Sequence, residues 1–282
     1  MISEVLLPRP NESHKGDYGH LLIVAGCQTM PGAAVLTAGA ALQSGCGLVT
    51  LHSTARALQA VVNSFPSVML SEDAGQCFSR VPSSLARYST IAVGPGLGQA
   101  PETVSALAKL LAEAYHANVP MVLDADALNI IAGNQELLRL IPCGSVMTPH
   151  LGELSRLVSW DSEEELAAAV QDLSEATGSV VIVKGYRTRV FAPDGSCSIN
   201  TTGNPGMAKG GSGDVLTGLV GGLMARGYKA ERASKLGAWI HGYAGDCLTA
   251  ERTAEAYSSR DLIDYLWKGF AAILNNADSL KP

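Results

Sequence analysis

The chain has 282 residues, 47% of them hydrophobic and 5% aromatic, with a net charge of −6. That is enough apolar material for one large α/β domain or two small ones, and abundant small aliphatic residues suit parallel strands covered by closely packed helices. No basic stripe is present, which excludes a nucleic-acid backbone as an expected partner.

At the N-terminus, Glu4, two prolines, Arg9 and Asn11 stand where a leader would need a long apolar stretch, so neither a signal peptide nor a membrane anchor is expected and the cytoplasm is the expected compartment. His20–Ala25 is a short apolar run ending at Gly26 and reads as a buried strand. Pro31 opens an Ala-rich helix that ends at Ser44-Gly45. Gly47–His52 is a second strand and Thr90–Val93 a third, the latter running into Gly94-Pro95-Gly96-Leu97-Gly98. Pro101–His116 reads as helix, Pro120–Leu123 as a strand ending at Asp124, and Ser145–Met147 as a strand running into Thr148-Pro149-His150. An exposed acidic helix, Glu163–Thr177, precedes a strand, Ser179–Val183, that ends at Lys184-Gly185. Thr188–Ala192 and Cys197–Asn200 are strands joined by Pro193-Asp194-Gly195, a hairpin. A glycine-rich run then leads into a helix, Gly213–Arg226, with Val215, Leu216, Leu219, Val220, Leu223 and Met224 on one face. Its Gly218, Gly221 and Gly222 would let another backbone come close. Helices near 230–250 and 259–275 finish the chain. No repeat, low-complexity tract or long linker interrupts it. The alternation predicts a doubly wound, mostly parallel sheet with an antiparallel hairpin near one edge, where ligands bind at the carboxyl ends of strands. Cys27, Cys46, Cys77, Cys143, Cys197 and Cys247 are scattered, which argues against zinc and predicts buried thiols of a reducing compartment.

The polar motifs fall at predicted strand ends. In Asn204-Pro205-Gly206-Met207-Ala208-Lys209-Gly210-Gly211-Ser212-Gly213-Asp214, glycines gather backbone N–H groups just before a helix, whose end adds positive partial charge. Such a turn can hold a transferring phosphoryl group, and Asp214 can act as base on a hydroxyl. The competing reading makes Asp214 a helix-start residue; the length of the run and its place after a hairpin favour function. Lys184-Gly185-Tyr186-Arg187-Thr188 offers two cations and a hydroxyl to nucleotide phosphates, or is a solvated turn. His150 could bond a ligand and Glu153 face the site, or Thr148-Pro149 with Glu153 could form a helix cap. In Asp124-Ala125-Asp126-Ala127-Leu128-Asn129, one aspartate reads as a simple N-cap, with a metal or water ligand as the alternative. Gly94–Gly98 gives a ligand backbone room but lacks the dinucleotide spacing. His52, His116 and His241 are assigned no function.

In this order, these segments, with His14-Lys15-Gly16 and Met30-Pro31-Gly32-Ala33, resemble the NAD(P)H-hydrate dehydratase family, whose fold is ribokinase-like, over nearly the whole chain. The resemblance implies a single domain, 1–282, with three layers: a mostly parallel sheet with helices on both faces. It implies a repair enzyme that uses ADP or ATP, with magnesium, to remove water from the S epimer of hydrated NADH or NADPH. Ala33, Gly96 or Gly98, His150 and Asp214 would contact the hydrate, with Asp214 as catalytic base. Lys184, Gly185, Tyr186, Arg187 and Thr188, with Gly210, Gly211, Ser212 and Gly213, would hold the nucleotide; no residue is assigned to a metal. Ser212 stands where the family commonly has threonine, and Lys209, where a small hydroxyl residue is common, would add a cation near the phosphates. Some members are fused to an epimerase; the length here leads us to expect that activity on a separate protein, and the apolar helices lead us to expect a homo-oligomer, a tetramer, for this one. The rival readings are a kinase of the same fold acting on a vitamin-precursor alcohol, of hydroxymethylpyrimidine or hydroxyethylthiazole type, and a nucleotide-sensing module without catalysis.

Overall fold

A strand that is apolar on both faces needs a helical layer on each side. A computed structural model describes residues 6–278, so Glu4 lies outside the described residues. The strands are β1 (His20–Val24), β2 (Leu48–Thr54), β3 (Met69–Asp73), β4 (Thr90–Val93), β5 (Met121–Leu123), β6 (Val146–Met147), β7 (Val180–Val183), β8 (Arg189–Phe191) and β9 (Cys197–Ile199). The helices are α1 (Pro31–Gln43), α2 (Ala55–Ser64), α3 (Pro101–Ala117), α4 (Ala125–Gly133), α5 (Leu151–Leu157), α6 (Glu163–Thr177), α7 (Ser212–Ala225), α8 (Ala230–Glu251) and α9 (Ser259–Asp278). The strands form a 9-stranded sheet in the order β3-β2-β1-β4-β5-β6-β7-β8-β9. All pairs from β3 to β7 are parallel, and β7-β8 and β8-β9 are antiparallel.

Alternate residues on each strand feed two cores. Leu21, Ile23, Ala92, Val122 and Ile182 pack with α1, α2, α7, α8 and α9. Leu22, Val24, Ile91, Leu123 and Val183 pack with α3, α4, α5 and α6. The fold is therefore the expected three-layer arrangement, a mostly parallel sheet with helices on both faces. Strand order turns outward in both directions from β1 and β4, which opens a crevice beyond their carboxyl ends. Beside that crevice α1 and α7 cross in contact: a Cβ on Gly218 would lie 2.0 Å from the Thr37 carbonyl oxygen.

Three readings need correction. The sequence reading passed over α2 and β3. β3 pairs on one side only and exposes Met69, Leu70 and Glu72, so it carries no alternating apolar signal. α7 is not one-sided: every residue from Val215 to Ala225 is buried, between the sheet, α1 and α8. The cysteines are free thiols, but Cys27 alone of the six is buried, while Cys143 and Cys197 are exposed. Among the described residues no helix is long and apolar enough to cross a membrane.

Candidate active site

Five parallel strands end on the same side, and each delivers part of one cleft. β1 leads to Met30 and Ala33 at the start of α1, and β4 to Gly94–Gly98. β5 leads to Asp124, β6 to His150 and β7 to Lys184. Glycine is required where these ends crowd together. At Gly94 the backbone is left-handed (φ 133°), and a Cβ would sit 1.8 Å from the Asp124 carbonyl oxygen. At Gly96 a Cβ would lie 2.7 Å from that of Ala33, so these two expected hydrate contacts adjoin.

Asp124 occupies the N-cap position of α4 but makes no capping bond with its side chain. Its Oδ1 accepts from Lys184 Nζ at 2.6 Å and its Oδ2 from Thr217 Oγ1 at 2.7 Å. Asp126 instead accepts from the Gly98 N–H at 2.8 Å and fixes the glycine loop. Asp124 thus stands at the N-cap as read, but its side chain is turned to Lys184 and Thr217 instead of capping the helix. Burial alone would push the Asp124 carboxyl up, but the Lys184 ammonium and hydrogen bonds from Lys184, Thr217 and Thr148 outweigh it and hold it below the usual range. Burial would likewise lower the Lys184 ammonium, and the charges of Asp124 and Glu153 reverse that. Lys184 Nζ also lies 3.6 Å from Glu153 Oε2.

His150 is itself the cap of α5, a role the sequence reading gave to Thr148-Pro149. Its Nδ1 accepts from the N–H groups of Gly152 and Glu153 at 3.0 and 3.2 Å, and Glu153 Oε2 accepts from the His150 N–H at 2.9 Å. On the other side of the ring Nε2 lies 3.4 Å from Glu153 Oε1, and the side chain is 55% exposed.

The anion turn is clamped from behind. Asn204 Oδ1 accepts from Gly206 N–H, Thr249 Oγ1 and Tyr257 OH at 3.0, 2.9 and 3.1 Å, and its Nδ2 donates to Asp246 at 3.0 Å. Ser259 Oγ donates to the Gly210 carbonyl at 2.8 Å. The Lys209 ammonium donates to the carbonyls of Ala254, Glu255 and Tyr257 at 2.8, 3.2 and 2.6 Å, so it is a strut of the loop rather than a free cation near the phosphates. Gly211, at φ 88°, turns the chain into α7, whose first N–H groups lack partners within the helix. A Cβ on Gly213 would lie 3.3 Å from Lys184 Nζ and 3.6 Å from Asp124 Oδ2, so the helix start, cation and carboxylate share one place. Asp214 follows in the first turn. Burial, then the Asp124 charge, with Asp126 and Glu153 adding and Lys184 opposing, pushes its carboxyl up to about 7.

Ala33, Gly96, Gly98, His150, Lys184, Gly210, Gly211, Ser212, Gly213 and Asp214 thus lie at the carboxyl end of the sheet or on the helix start facing it. Gly185, Tyr186 and Arg187 project into solvent beyond β7, Tyr186 at 88% exposure, while the Thr188 hydroxyl bonds back to the Gly185 carbonyl at 3.1 Å. Sequence reasoning missed the Asp124–Thr217 link, whose one signal is a hydroxyl in an otherwise apolar helix. It also missed buried His241, 3.4 Å from Ser212 Oγ. Among the described residues no three His, Cys, Asp or Glu side chains converge to cage a metal. A 460 Å³ cavity at the opposite end of the sheet, between Cys143, Gly178, Tyr228 and Glu231, is lined by none of these groups.

The family model for NAD(P)H-hydrate dehydratase matches residues 21–268. The chain is 39% identical to the ADP-dependent (S)-NAD(P)H-hydrate dehydratase of Neisseria meningitidis, over 86% of this chain and 82% of that protein. It is 40% identical to the bifunctional NAD(P)H-hydrate repair enzyme Nnr of Moorella thermoacetica, over 92% of this chain and 51% of that one, so it spans about half the length of the bifunctional relative. The crystal structure of the ADP/ATP-dependent NAD(P)H-hydrate dehydratase from Bacillus subtilis, co-crystallised with ATP and Mg2+, superposes with a TM-score of 0.81 at 29% identity, covering 97% of each chain.

Proposed function

Since the chain belongs to the NAD(P)H-hydrate dehydratase family, we propose that it uses ADP or ATP to convert the S epimer of hydrated NADH or NADPH back to the intact cofactor. The observation that supports this most is the Asp214 carboxyl, pushed up to about 7 in the first turn of a helix whose start is of the kind that can receive an anion. Hydroxide is a poor leaving group, and a phosphate ester of the ring hydroxyl is a good one. Asp214 takes the hydroxyl proton as the oxygen bonds to phosphorus and the terminal phosphoanhydride breaks. The start of α7 holds the phosphoryl oxygens, and Lys184 supplies positive charge beside Gly213. The ring nitrogen lone pair then expels phosphate, and the neighbouring ring carbon loses a proton to restore the double bond.

Ala33, Gly96, Gly98 and His150 are the residues proposed for the hydrate. Lys184, Gly185, Tyr186, Arg187 and Thr188, with Gly210–Gly213, are those proposed for the nucleotide. Magnesium bound with the nucleotide would neutralise charge on the phosphates, with Glu153 holding its hydration shell. A separate epimerase that interconverts the R and S hydrates, a homo-oligomeric state and a cytoplasmic location complete the proposal. The test is incubation of purified chain with S-hydrated NADH, magnesium and either ADP or ATP. Recovery of the dihydronicotinamide absorbance is expected. An unchanged hydrate with both nucleotides, together with phosphorylation of a hydroxymethylpyrimidine or hydroxyethylthiazole, would hand the site to the kinase reading.

A further inference from the structure

We propose that His241 is a positioning residue for the nucleotide's phosphates, its imidazole fixing the Ser212 hydroxyl at the first position of α7. The proposal rests on the reading that the start of α7 receives those phosphates. One face of α8 is moulded onto the segment that becomes the anion turn. A Cβ on Gly242 would lie 2.3 Å from Thr202 Oγ1, and one on Gly245 2.4 Å from Met207 Sδ. Asp246 accepts from the Gly203 N–H and from Asn204 Nδ2 at 2.9 and 3.0 Å. Thr249 adds its bond to Asn204 Oδ1 at 2.9 Å. His241 continues this face toward the catalytic end. Its side chain is buried, with Nε2 3.4 Å from Ser212 Oγ, the one hydroxyl within residues 209–214.

The same face of α8 therefore carries both the bonds that hold Gly203 and Asn204 and the imidazole beside Ser212. Burial lowers the imidazole to about 4, against the opposing pull of a hydrogen bond to the Ser212 backbone and with the nearby Lys184 charge adding to the fall. It is therefore neutral at neutral pH. It brings a hydrogen bond to the anion turn and no charge, and a buried polar ring with no such bond would be costly.

Glutamine reaches about as far as histidine Nε2, whereas asparagine is too short, so the two variants differ in reach to Ser212. His241→Asn is expected to weaken ADP binding by calorimetry, and to raise the nucleotide KM, roughly 3–10-fold, the worth of one hydrogen bond, with the hydrate KM unchanged. His241→Gln should restore ADP affinity to within about 2-fold of wild type. In a Ser212→Ala background, His241→Asn should add less than about 2-fold, since the two side chains act as one unit. Wild-type ADP affinity in His241→Asn overturns the proposal, as does an undiminished effect in the Ser212→Ala background. If His241→Asn does not fold, Ser212→Ala alone decides: it must weaken ADP binding by the same factor, and no change refutes the role. A wild-type chain that binds no ADP at all fails the reading of the site, and this proposal with it.

Discussion

Asp214 carries two opposed demands: a base must ionise, and its surroundings resist ionisation. Its carboxyl is raised from 3.8 to about 7, so between those values the folded chain holds a proton that the unfolded chain has released. Folding stability from this group is therefore full below 3.8 and is lost as pH rises to about 7. Asp214→Asn should lower turnover about 10²–10⁴-fold, the usual worth of a general base. Its thermal midpoint should gain on wild type through that pH window and then level off. A helix-cap role would leave rate and midpoint near wild type, because Asn caps nearly as well as Asp. An Asn variant that keeps most of its turnover ends the claim. Lys184 opposes the rise of Asp214 and pairs with Asp124, so Lys184→Met acts on both. It leaves Asp124 as a buried, uncompensated charge and should cost roughly 3–5 kcal/mol in denaturant unfolding. In whatever folded protein remains, the acid limb of kcat/KM should move to higher pH. Unaltered stability in Lys184→Met would mean that the Asp124 pair contributes nothing.

Elements set where these groups stand. The strong helices and strands were legible in the sequence because proline starts, glycine stops and short apolar runs mark them; α6 and β4 fall where they were read, at Glu163–Thr177 and Thr90–Val93. β3 was not legible because an edge strand with exposed Met69 and Leu70 has no face to bury. The start of α5 was ambiguous in sequence, since a cap and a ligand residue can be one histidine. Those roles separate by substitution. His150→Ala should lose the cap, about 1 kcal/mol, together with hydrate affinity. His150→Asn should recover the stability but not the affinity, as read by melting and by hydrate titration. Recovery of both would make His150 a cap alone. The α1–α7 crossing is the second lever, because both helices begin at the cleft. Gly218→Ala would press a methyl against the Thr37 carbonyl, 2.0 Å from the ideal Cβ. Overpacking of this kind typically costs about 1–3 kcal/mol. Displacing Ala33 from Asp214 should also lower turnover in the folded fraction. Gly133→Ala, with nothing within 4 Å, is the control. Equal behaviour of the two variants would refute the idea that the crossing aligns the site.

At the scale of the molecule, the motifs could be gathered from sequence because each follows a strand, and a parallel sheet puts all such ends on one side. What binds them to each other could not be read. The Asp124–Lys184 and Asp124–Thr217 bonds join residues 60 and 93 positions apart, and no local pattern announces them. These long-range bonds make the cleft a property of the whole fold, because β1, β4, β5, β6, β7 and α7 each supply one part. An unfolded chain keeps none of that arrangement, so a ligand of the cleft binds the native state alone and stabilises all of it. At a free concentration of 100 times Kd the linkage is about 2.7 kcal/mol. For a domain of this size that should raise the thermal midpoint by roughly 5 °C. ADP with magnesium should give such a shift, growing with the logarithm of concentration, and it should shrink in Lys184→Met, where cation and scaffold are both impaired. Inorganic phosphate offers the anion without the nucleoside and should need far higher concentrations for the same effect. A midpoint indifferent to ADP across a range that supports turnover would overturn the reading that the nucleotide is held by the native arrangement of these strand ends.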